Sequence, residues 1–203
     1  MEFNAHERIV LASASPRRKQ LLESIGIPFS VEPAVNDEPP VERFGSPLEY
    51  VEECARQKAQ EVAQKHPDAA VVGSDTAVVA GGEVLLKPRS KEQAVRSLQK
   101  LSGTTHQVIT AVSIMHGEKD LSFTETTDVT FFDLKEEWID AYTNTEDPYD
   151  KAGAYGIQTA SMLFVKEIKG DYNTVVGLPI ARLTHTLSDA GIISLKGERG
   201  DDR

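Results

Sequence analysis

The chain has 203 residues, 39% of them hydrophobic and 27% charged, with a formal net charge of -10 at pH 7. That length suits one sizeable core, or one core split between two lobes. The acidic excess argues against a general DNA or RNA binder, whose surface must neutralise phosphates. A single cysteine, Cys54, cannot form an internal disulfide, no apolar run reaches membrane-spanning length, and the first residues lack the basic and apolar regions of a signal peptide. A cytoplasmic protein with no membrane or nucleic-acid partner is expected.

In chain order, an apolar run at residues 9–12 reads as a short buried strand. Ser13 and Ala14 follow, then Ser15-Pro16, a serine N-cap with proline at the first helical position. The helix continues through Leu21, Leu22 and Ile25 and stops at Gly26. Arg17, Arg18 and Lys19 crowd its first turn, where unpaired backbone N–H groups already make the end positive. Three cations there oppose the helix dipole unless an anion sits among them. A strand, a small-residue turn and a cationic helix start therefore predict a phosphate site; the alternative is three solvated side chains pointing apart. No Walker pattern is present.

A short strand is expected at 27–31, then an acidic, proline-stopped loop holding Asp37 and Glu38. Ser46 and Glu49 form a capping box for a helix running to about His66, with an apolar stripe of Leu48, Val51, Ala55, Val62 and Ala63. Lys58 falls on that stripe, where it either snorkels from the edge or reaches into a cleft. A buried strand at 69–72 runs into a Gly73-Ser74-Asp75-Thr76 turn. Residues 77–86 read as a hairpin through Gly81-Gly82 that ends on Lys87-Pro88. Ser90 opens a third helix ending near Gly103, and strands are expected at 107–115 and 121–132. A short helix carries Trp138, Ile139 and Tyr142. A turn rich in small residues from Asp150 to Gln158, a strand at 162–168, a turn at 169–171 and a helix from Pro179 to Gly191 complete the body. Helices mixed with hairpins and long antiparallel-looking strands point to α/β or α+β with a mixed sheet. The fold class expected is α/β, with one domain at 1–191 and a charged, disordered tail at 192–203.

Asp75 after a buried strand is placed where ligands meet open sheets, although a turn aspartate capping local N–H groups has the same sequence signature. Asp37 and Glu38, with Asp75, offer hard oxygen ligands suited to Mg²⁺ or Mn²⁺. Lys87 is held before a proline, Lys151 opens the small-residue turn, and a buried Gln158 there would need partners for both ends of its amide. The five histidines show no paired metal spacing, and Cys54 lies mid-helix, so nucleophilic catalysis is unsupported. A cationic helix end, carboxylates, lysines and a polar amide suit metal-assisted attack of water on a phosphate ester or anhydride.

Leu11-Ala12-Ser13-Ala14-Ser15-Pro16-Arg17-Arg18, Gln57-Lys58-Ala59, Gly73-Ser74-Asp75-Thr76, Leu86-Lys87-Pro88 and Asp150-Lys151-Ala152-Gly153-Ala154-Tyr155-Gly156-Ile157-Gln158 resemble, in matching order, the Maf family of nucleoside triphosphate pyrophosphatases. The resemblance implies an elongated mixed sheet in two lobes with a central cleft, a divalent metal cofactor, a homodimer, and release of pyrophosphate from a nucleoside triphosphate. It implies roles in nucleotide-pool sanitation and in arrest of cell division. By motif, Asp75 is the general base and shares the metal with Glu38. Ser13, Arg17, Arg18, Lys58 and Lys87 hold phosphates, and Arg17, Thr76 and Gln158 set specificity. Glutamine at 158 resembles the branch acting on dTTP and UTP, with modified pyrimidine nucleotides as further candidates. Ser74 and Asn36 depart mildly from the family pattern. The competing classes are a non-catalytic division regulator that binds a protein partner and a phosphatase releasing orthophosphate.

Overall fold

Serine caps set three helices where the sequence places them. In the computed structural model, which describes residues 2–197, strands β1 (Phe3–Ala5) and β2 (Arg8–Leu11) lead into helix α1 (Pro16–Ser24), whose Arg18 N–H is accepted by the Ser15 hydroxyl. After β3 (Ser30–Val31), helix α2 (Pro47–Ala63) starts with the Ser46 hydroxyl accepting the Glu49 N–H. Strands β4 (Ala69–Ala80) and β5 (Glu83–Leu85) precede α3 (Lys91–Leu101), capped by Ser90. The chain continues through β6 (Thr105–His116), β7 (Lys119–Asp120), β8 (Phe123–Phe131) and α4 (Glu136–Thr143). It closes with β9 (Val165–Lys169), α5 (Tyr172–Val176), α6 (Ile180–Asp189) and β10 (Ile193–Leu195).

One mixed sheet orders its strands β3-β2-β4-β6-β8-β9. The pairs of β2 with β3 and with β4 are parallel, and those from β4 through β9 are antiparallel. Two long strands serve both lobes. Ala70 and Val72 of β4, with Val112 and Ile114 of β6, belong to a core shared with α1 and α6. Val78 and Ala80 of β4, with Val108 of β6, belong to a second core shared with α3 and α4. Asp75 and Thr76 lie between the two, so the cleft opens where one strand passes from lobe to lobe.

Four local expectations give way to packing. Gly73-Ser74-Asp75-Thr76 is not a turn: β4 runs straight through it, paired with β6 from Val71 to Val79. Glycine is there because α2 lies hard against the strand; a Cβ on Gly73 would sit 2.4 Å from the Ala55 carbonyl oxygen and 2.6 Å from the Ala59 nitrogen. Leu48 leaves the buried stripe of α2 and is exposed, while Tyr50, Cys54 and Ala59 join it. The strand expected from 162 begins at Val165, after a 3₁₀ turn at Ala160–Phe164, and α5 follows at once because Asp171 accepts the N–H groups of Asn173 and Thr174. The expectation of a disordered tail at 192–203 does not hold for residues 192–195. Ile192 and Ile193 are buried in the first core, and β10 pairs antiparallel with β1; residues 198–203 lie outside the described residues.

Candidate active site

Close packing of α2 on β4 places Lys58 over Asp75. The Lys58 Nζ donates to Asp75 Oδ1 at 2.6 Å and to Glu38 Oε1 at 2.6 Å, so one ammonium bridges two carboxylates. Of the two readings for Lys58, the structure has it reaching into the cleft. Burial raises the Asp75 pKa above the usual aspartate value, and the neighbouring Lys58 offsets only part of that rise. Burial also works against charge on Glu38, but there Lys58, helped by Lys87 and Arg18, outweighs it and the pKa is lowered. Lys58 is likewise held up, since Asp75 and Glu38 together outweigh the burial that opposes its charge. Cys54 lies beside this group with its thiol pushed up to about 12, chiefly by burial, and is no nucleophile at neutral pH.

The α1 turn supplies the cations. Ser13 is buried, and its hydroxyl accepts from the Ser15 N–H at 3.2 Å and from Arg18 Nη1 at 3.2 Å. Arg18 also donates from Nε to the Gly177 carbonyl at 2.7 Å and from Nη2 to Thr76 Oγ1 at 3.1 Å. Its partners among the described residues are thus neutral oxygens, which leaves two of its five N–H donors without one there. Arg17, by contrast, is paired with Asp150 Oδ2 at 3.0 Å. Lys87 is exposed and without an ion-pair or hydrogen-bond partner among the described residues.

At the far end of the cleft, Lys151 is buried and fully used. Its Nζ donates to the Asp147 carbonyl at 2.6 Å, to Asp147 Oδ1 at 3.0 Å and to Asp150 Oδ1 at 2.6 Å. A Cβ on Gly156 would lie 2.6 Å from the Lys151 Cε, so that glycine makes room for the lysine stem. Lys151 shapes the loop and is not free to bind phosphate. Gln158 is exposed on the cleft wall, with its amide unpartnered among the described residues.

One cleft of about 1310 Å³ is lined by the residues that the sequence assigns to the site: Ser13, Arg17, Arg18, Glu38, Lys58, Asp75, Thr76, Lys87 and Gln158. Sequence reasoning missed the Gly177 carbonyl, on which Arg18 and the buried Ser74 hydroxyl converge. A backbone oxygen leaves no signature in composition. It also missed Asp150 as the partner of Arg17. As a metal site, Glu38 and Asp75 give two carboxylates, and among the described residues no group of three or more His, Cys, Asp or Glu is placed to hold an ion. That donor set does not suit an all-protein cage. It fits Mg²⁺ or Mn²⁺, which take one or two carboxylates and complete their shell with water and substrate phosphate oxygens.

A family model described as Maf-like protein matches residues 8–190. The dTTP/UTP pyrophosphatase of Bacillus velezensis is 48% identical over 186 residues, covering 92% of this chain and 98% of its own. Proteins of the same name from Bacillus cytotoxicus and Bacillus cereus (strain G9842) are 47% and 46% identical, over 89% and 92% of this chain and 94% and 97% of theirs. No helix among the described residues is long and apolar enough to cross a membrane.

Proposed function

The chain belongs to the Maf-like protein family, and from that premise we propose that it is a nucleoside triphosphate pyrophosphatase converting dTTP and UTP to the monophosphate and pyrophosphate. The observation that carries the reading is that the buried Asp75, whose pKa is raised, shares one cleft with Arg18 and Lys87; two Arg18 N–H donors and the Lys87 ammonium are without a partner among the described residues. A raised pKa makes Asp75 a stronger base than an ordinary carboxylate. Asp75 takes a proton from the attacking water as the bond between the α- and β-phosphates breaks. Arg17, Arg18 and Ser13 at the start of α1 hold phosphate oxygens, with Lys58 and Lys87 balancing the remaining charge. Asp75 and Glu38 would hold a divalent Mg²⁺ or Mn²⁺, which supplies neutralisation of phosphate charge.

Base choice is assigned to Gln158, with Arg17 and Thr76 beside it. The Gln158 amide, without a partner among the described residues, donates to a carbonyl of uracil or thymine and accepts from the adjacent N–H. Guanine presents two adjacent donors, which an amide satisfies only in part. The Gln158→Glu variant should therefore lower kcat/KM for UTP relative to GTP; an unchanged ratio would remove Gln158 from base reading. A cytoplasmic homodimer completes the proposal, supported by the family resemblance, and sedimentation of the purified protein tests the dimer. The reaction itself is tested by ³¹P spectra of UTP incubated with the protein and Mg²⁺. Pyrophosphate and UMP, lost on adding chelator, are expected; orthophosphate and UDP would overturn the reading.

A further inference from the structure

Behind Arg18 runs a chain of hydroxyls whose direction is fixed by its last member. Thr76 on β4 stands opposite Thr110 on β6 in the ladder, and their hydroxyl oxygens are 2.9 Å apart. Thr110 is fully buried, and its oxygen lies 2.8 Å from the Thr174 carbonyl on α5. A carbonyl only accepts, so the single Thr110 proton goes to it. Thr110 must then accept from Thr76, which spends the single Thr76 proton. Thr76 in turn has only lone pairs to offer Arg18, whose Nη2 donates to it at 3.1 Å. Every donor points inward: Arg18 to Thr76, Thr76 to Thr110, Thr110 to the Thr174 carbonyl.

The far end of this relay is itself tied down. Asp171 accepts from the Thr174 N–H at 2.8 Å and from its hydroxyl at 3.0 Å, while the Thr127 hydroxyl on β8 donates to the Asp171 carbonyl at 2.9 Å. The relay therefore links the start of α1 to β4, β6 and α5, and through Asp171 to β8. Without Thr110 the Thr76 proton has no acceptor beneath it and is free to turn toward Arg18. Two donors would then face each other, and one of the three anchors of the guanidinium would be lost.

We propose that Thr110 is a positioning residue for phosphate binding: by taking the Thr76 proton it turns a Thr76 lone pair toward Arg18 and holds that guanidinium ready for the triphosphate. This rests on the reading that Arg18 contacts substrate phosphates. It makes no claim on the base, so the relay should matter equally for a ligand that has none.

The test measures KM and kcat for UTP, and the inhibition constant of inorganic tripolyphosphate, in folded variants. Thr110→Val, which keeps shape and loses the hydroxyl, should raise KM and the tripolyphosphate constant together by about five- to tenfold, the range of one net hydrogen bond, with kcat within about twofold. Thr110→Ser should restore both constants, and the Thr76→Val/Thr110→Val double variant should be no worse than Thr76→Val alone. If Thr110→Val does not fold, Thr110→Cys, a weak donor and acceptor, must raise both constants by a smaller factor. Unchanged constants in the folded variant, failure of serine to rescue, or additive effects in the double variant would each overturn the proposal. Arg18→Lys separates the two levels. If it leaves both constants unchanged, the phosphate reading of Arg18 itself fails; if it raises them and Thr110→Val does not, only the relay fails.

Discussion

The two ends of the cleft handle charge in opposite ways. Around the loop from Asp147 to Gln158, Lys151 has three acceptors for its three N–H groups, and Asp147 also accepts from the Tyr142 hydroxyl at 2.7 Å. Burial opposes charge on Asp147 and Asp150, yet their hydrogen bonds to Lys151 and its neighbours outweigh it and hold both pKa values low. At the α1–α2 end, burial wins at Asp75, Arg18 is met by neutral oxygens, and Lys87 stands alone among the described residues. The first network is complete without a ligand and sets shape. The second is short of negative charge around its arginine until a molecule with several anionic oxygens arrives. Arg17, paired with Asp150, joins the two.

The comparison breaks first at Lys151. Lys151→Met removes a buried cation and leaves Asp147 without its counter-charge, so unfolding stability should fall by about 3–5 kcal/mol. Urea denaturation measures it; a cost below about 1 kcal/mol would mean that the loop network is not structural.

Next comes acid. His106, under the same loop, bonds the Tyr155 hydroxyl at 2.8 Å, and burial pushes its pKa from the ordinary 6.5 down to about 4. The unfolded chain thus binds the extra proton between those values. The contribution is complete above about pH 6.5 and is lost as pH falls toward 4, amounting to about 3 kcal/mol. The pH dependence of wild-type stability should exceed that of His106→Phe by this amount over that window; parallel curves would show that His106 is not held neutral.

A smaller contrast separates two adjacent arginines. Arg18→Ala strips donors from Gly177, Thr76 and Ser13 and should cost about 1–3 kcal/mol of stability. Arg17→Ala loses a pair whose carboxylate is 60% exposed and should cost no more than about 0.5 kcal/mol. Equal losses in thermal melts would undo the distinction between an anchored arginine and a surface one. The sequence reading treats these residues alike, as cations opposing the helix dipole, because the neighbours that tell them apart are distant. Gly177 and Asp150 lie 159 and 133 residues from their arginine partners.

What was legible in the sequence shares that locality. Ser15-Pro16, Ser46-Pro47 and Ser90 fix helix starts by bonds made within three residues, and the cationic first turn lies on the wall of the cleft. The mixed sheet and its two lobes followed from strand order and resemblance. Gly73 and Asp75 misled because, taken locally, they are turn residues. Their strand exists because β6 pairs along it and α2 needs a surface without a Cβ. Lys58 could not be assigned before the position of Asp75 was known. Gln158 could not be judged exposed, since small neighbours imply close packing without saying what packs.

The central claim is that the incompletely balanced end is the reactive one, and Asp75→Asn tests it most directly. Turnover of UTP should fall by about 10²-fold or more, since the amide accepts no proton from water, while the UTP dissociation constant stays within about threefold. Near-normal turnover, or a loss of binding as large as the loss of rate, would contradict the account.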